Sequence, residues 1–126
     1  MLAPLPPLCL SGGVTDSLAL VQSSLAAAEA ARQRGDVAGE RHYLEQLVAA
    51  DPANPEFINR LGLQALRSGD AARAQGLFRQ AVERDPAAIP LLMNLATACR
   101  AAGDDAAERA ALDAALALDR RYFPVL

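Results

Sequence analysis

The sequence predicts an all-α chain of three stacked helix-turn-helix repeats, on three observations. Alanine fills 29 of the 126 positions while aromatics reach only 4% and tryptophan is absent. Alanine has the best helix propensity and is depleted in strands, so the composition favours closely packed helices. The pair Gly35-Asp36 recurs as Gly69-Asp70 and Gly103-Asp104, and Asp51-Pro52 recurs as Asp85-Pro86 and then as Asp119-Arg120. Each interval is 34 residues. Two punctuation marks locked to one period identify a repeated supersecondary unit.

Each mark has a mechanism. Glycine after a helical run accepts the left-handed conformation that ends a helix, and the aspartate behind it can cap the next one. Asp-Pro closes a helix because the residue before proline avoids the α region. Residues 1–15 read as a flexible Pro/Gly-rich leader, with Pro4, Pro6 and Pro7 interrupting its apolar run. The first basic residue is Arg32, so the leader lacks the charged start of a signal peptide. The predicted helices then span 16–34 and 37–50, 55–67 and 71–84, and 88–101 and 105–118. They group into repeats of about 16–52, 55–86 and 88–119. In the middle repeat Ile58, Leu61, Gly62 and Ala65 fall at i, i+3, i+4 and i+7. Ala74, Leu77, Phe78, Ala81 and Val82 repeat that spacing on the second helix. Small residues at Gly62, Ala74 and Ala81 let two backbones approach, and Phe78 and Leu61 fill the space between them. Phe123-Pro124-Val125-Leu126 repeats Ile89-Pro90-Leu91-Leu92 after 34 residues, so 123–126 read as the start of an unfinished fourth repeat. The expectation is either a piece of a longer protein or a face, formed by Tyr122, Phe123, Val125 and Leu126, that meets another surface by self-association.

The middle repeat resembles the tetratricopeptide repeat (TPR) family through Ile58, Leu61-Gly62, Ala65, Ala74, Phe78, Ala81 and Pro86. The third follows with Leu92, Leu95-Ala96, Cys99, Leu112 and Ala115, and departs at Glu108, where a small residue is expected, and at Arg120 in place of proline. The first keeps Ser24, Ala27-Ala28, Ala31, Leu44 and Pro52, but carries Glu40 and Leu47 at the two small slots, which predicts looser packing. The resemblance covers residues 21 to 122 and implies a right-handed α-solenoid whose first helices line a concave face. Carrying helical offsets along the repeat places Leu25, Glu29 and Arg32 on that face in the first repeat. Glu56, Asn59, Leu63, Leu66 and Arg67 follow in the second, and Met93, Asn94, Thr97 and Arg100 in the third. The resemblance thus implies a groove for a protein or peptide segment with apolar anchors. The row Arg32, Arg67, Arg100 adds a preference for acidic charge; the competing explanation is that these arginines only complement helix C-termini. The clamp by which TPR co-chaperones hold a carboxylate is not kept, since the matching positions hold Leu25, Glu29, Arg60, Pro90 and Asn94. The asparagine ladder of long TPR arrays is also missing, because Asn94 has Ala26 and Arg60 as its counterparts at the 34-residue offset.

Composition bounds the chemistry. A net charge of −3 argues against a nucleic-acid partner, which needs a basic footprint. All 12 basic residues are arginine, which excludes lysine-based catalysis. One histidine cannot build a multi-histidine metal site. His42, with Glu45 and Gln46 beside it, reads as a surface residue, so no metal and no cofactor are expected. The serines show no nucleophile elbow, and phosphate-binding and dinucleotide fingerprints are missing. Asp104, Asp105 and Glu108 sit at a helix start and read as capping. Cys9 and Cys99 are too few for a disulfide framework, and two reduced thiols in a cytoplasmic protein are the simpler expectation. No window is long and apolar enough to span a membrane. The sequence therefore predicts a non-enzymatic interaction scaffold. One alternative is the N-terminal TPR region of a larger bacterial enzyme, because Ala111 to Leu126 resembles such regions in aspartyl/asparaginyl β-hydroxylase-like dioxygenases. The other is a self-associating structural repeat.

Overall fold

A computed structural model describes residues 7–122, with side chains described for 18–120; the residues expected to open a fourth repeat, 123–126, lie outside this range. The described residues form six helices and no strand: α1 (Pro7–Gln33), α2 (Val37–Ala50), α3 (Pro55–Arg67), α4 (Ala71–Arg84), α5 (Ile89–Ala101) and α6 (Asp105–Tyr122). They fall into two compact units, residues 1–51 and 52–126.

The corner within each hairpin is built the same way three times. Gly35, Gly69 and Gly103 take φ of +74°, +86° and +78°, the region that L side chains avoid. The aspartate amide that follows donates to a carbonyl five residues back: Asp36 to Ala31, Asp70 to Ala65 and Asp104 to Cys99, at 2.8, 2.9 and 2.9 Å. The glycine amides bond to Arg32, Leu66 and Arg100, each at 3.1 Å, which completes the doubly bonded C-terminal motif. The same aspartates then cap the next helix. Each Oδ1 accepts an amide hydrogen bond, from Gly39 at 2.9 Å, Arg73 at 3.2 Å and Ala107 at 3.2 Å. One residue thus satisfies orphan groups on two helices.

Between repeats the chain is stopped by Asp51 and Asp85, whose amides still donate to Leu47 and Ala81. Two boundaries differ from expectation at the ends of the chain. α6 runs on to Tyr122 past the expected 118, because Arg120 stands where proline ends α2 and α4 and the next proline in the sequence is Pro124. α1 begins at Pro7, so residues 7–15 are helical where a leader was expected. Proline is tolerated in the first turn of a helix, and two glycines cost such a helix only about 1 kcal/mol each.

In the first unit α1 packs on α2. Ala28, Ala31, Leu44 and Leu47 form its buried apolar set, with Ser24 and Glu40 buried beside them. Ser24 donates to Gln46 Oε1 at 3.4 Å. In the second unit α3 packs on α4, α4 on α5 and α5 on α6, and α3 also reaches α5. Ala65, Ala74, Phe78 and Ala98 form its buried centre, with Leu63, Leu66, Leu77 and Leu95 packed around them. A Cβ built on Gly62 would meet the Phe78 ring at 2.7 Å, so this glycine is what lets the ring lie against α3.

Candidate partner-binding face on α3 and α5

α3 is fixed at its start by Asn54, whose Oδ1 accepts the Glu56 amide at 3.0 Å, and by Pro55 in its first turn. α5 opens with Pro90 in its first turn and Ala88 as a cap that offers no side-chain bond. These two helices carry most of the residues expected to bind a partner. Asn94 Nδ2 donates to Asn59 Oδ1 at 2.8 Å, joining α3 to α5 through two half-buried amides. Leu63 and Leu66 are half-buried against the apolar centre, whereas Met93 is 46% exposed. Thr97 is exposed, and its hydroxyl donates to the Met93 carbonyl at 3.0 Å. The surface is therefore apolar around one paired-amide spot.

Two of the charges expected there, Glu56 and Arg100, are engaged with side chains outside the expected set. Glu56 Oε1 accepts from Arg60 Nε at 3.1 Å, both exposed on α3. Arg100 Nε donates to Glu108 Oε2 on α6, so that member of the arginine row carries a neutralised charge. Glu108 is the residue that replaces the small side chain of the repeat, and its longer stem is what reaches Arg100. Arg67 lies exposed in the last turn of α3. In the first unit Leu25 is half-buried and Arg32 exposed, while Glu29 accepts from Gln33 Nε2 at 3.4 Å.

The Asn59–Asn94 pair was not legible from the repeat, because the partners are 35 residues apart rather than 34. Gln75 was also missed; its Nε2 donates to Asp104 Oδ2 at 2.9 Å and ties α4 to the corner before α6. That bond, and the Ala107 amide, hold the Asp104 carboxyl below its ordinary range. Cys99 is fully buried and free, and burial raises its thiol pKa, with the Asp104 charge adding to the effect. His42 faces Gln46, with 3.3 Å between Nε2 atoms, and its ring meets Tyr43 edge-on at 5.3 Å. Among the described residues no three His, Cys, Asp or Glu side chains form a metal cluster, and no helix is long and apolar enough to cross a membrane.

No protein-family profile matches the chain, and no curated protein matches it either. Solved structures do. An O-GlcNAc transferase of Thermobaculum terrenum superposes with a TM-score of 0.68 at 28% identity, over 84% of this chain and 20% of that one. The TPR2B domain of yeast Sti1, solved as a complex with pHsp70, gives 0.71 at 17% identity, over 81% of this chain and 82% of the domain. The MamA protein gives 0.73 at 13% identity, over 84% of this chain and 59% of that one. This chain has the tetratricopeptide-repeat solenoid fold. The chain spans about a fifth of the matched transferase, and none of these structures is a dioxygenase, so the β-hydroxylase resemblance gains no support from them.

Proposed function

We propose that this protein is a non-catalytic interaction module that holds a segment of a partner protein on the surface shared by α3 and α5. The observation that carries the reading is the Asn59–Asn94 amide pair set among Leu63, Leu66, Met93 and Thr97. An amide pair can hydrogen-bond a peptide backbone, and the apolar side chains around it can take one or two anchors. Because the surface is preformed, binding orders only the ligand segment, and an affinity of about −8 kcal/mol, or micromolar, is within reach. The TPR2B domain of yeast Sti1, solved as a complex with pHsp70, supports the same kind of role. The acidic preference expected from the arginine row loses Arg100, whose guanidinium is paired with Glu108. The larger-enzyme alternative keeps one supporting fact: the matched transferase is a much longer chain than this one.

The test is site-specific cross-linking in cells with p-benzoylphenylalanine at Thr97 or, as a control, at exposed Asp113 on α6. Adducts of one partner protein from Thr97, lost on adding Asn94→Ala with Met93→Glu, are expected. Adducts from Asp113 alone would reject the α3–α5 surface.

A further inference from the structure

We draw no further inference here: the strongest candidate, the apolar pocket of about 470 Å³ that Pro86 forms with Ala114, Ala117 and Leu118 of α6, is an unpartnered face of mostly small side chains, and nothing in the structure shows what covers it.

Discussion

The hairpins α1–α2 and α3–α4 solve one packing problem with opposite distributions of bulk. In α3–α4 the first helix offers Gly62 and the second fills the gap with Phe78, flanked by Ala74 and Ala81. In α1–α2 the first helix offers alanines, Ala28 and Ala31, while the second carries Leu44 and Leu47 with Glu40 at the slot where α4 has Ala74. Both large residues of α2 are buried despite the expectation of looser packing. Volume summed across a pair of facing positions matters more than which helix supplies it.

That comparison can be broken most forcefully at the ring. Phe78→Ala should cost about 3–5 kcal/mol, whereas Leu44→Ala should fall nearer 2–3 because it empties a smaller volume; urea denaturation measures both. Equal losses would mean the two hairpins share no such difference. Gly62→Ala should destabilise by about 1–3 kcal/mol, since the new Cβ runs into the ring. Combining it with Phe78→Leu should recover much of the loss, and simple additivity would show that the ring contact is not the cause.

The corners are expected to behave alike in all repeats, with one exception. Asp36→Ala and Asp70→Ala should each cost about 1 kcal/mol through the lost cap. Asp104 is further tied to Gln75, and its folded-state carboxyl titrates below the ordinary value. Its contribution is therefore complete above the normal carboxyl range near pH ~4 and is lost as pH falls through and below it. Asp104→Asn should flatten the acid limb of the stability curve more than Asp70→Asn does. The smallest effect belongs to the exposed Glu56–Arg60 pair, where Glu56→Gln should change stability by no more than about 0.5 kcal/mol. A chemical probe complements these: in a Cys9→Ser background, Cys99 should react slowly with iodoacetamide in the native chain and rapidly in urea, because burial both shields the thiol and raises its pKa.

How much could be read beforehand depended on whether a residue acts locally. Gly69-Asp70 and Asp85-Pro86 dictate backbone geometry within a few residues, so the spans of α2, α3 and α4 follow from sequence to the residue. Where the punctuation is missing, as at Arg120, the boundary moved. The candidate site was legible as a face but not as a set of partners. Helical offsets put Asn59 and Asn94 on one surface, yet only the relative placement of α3 and α5 makes them touch. Arg100 was read as a groove cation from its own helix, but its charge is settled by Glu108 on another.

The aspartate shared between the end of one helix and the start of the next leaves the corner no slack. A helix turns by about 100° per residue, so a single inserted or deleted residue at Gly69-Asp70 would swing every apolar side chain of α4 away from α3. Such a chain can tolerate gain or loss of material only in whole periods, which makes recombination between repeats, rather than stepwise insertion, its natural route to a different length.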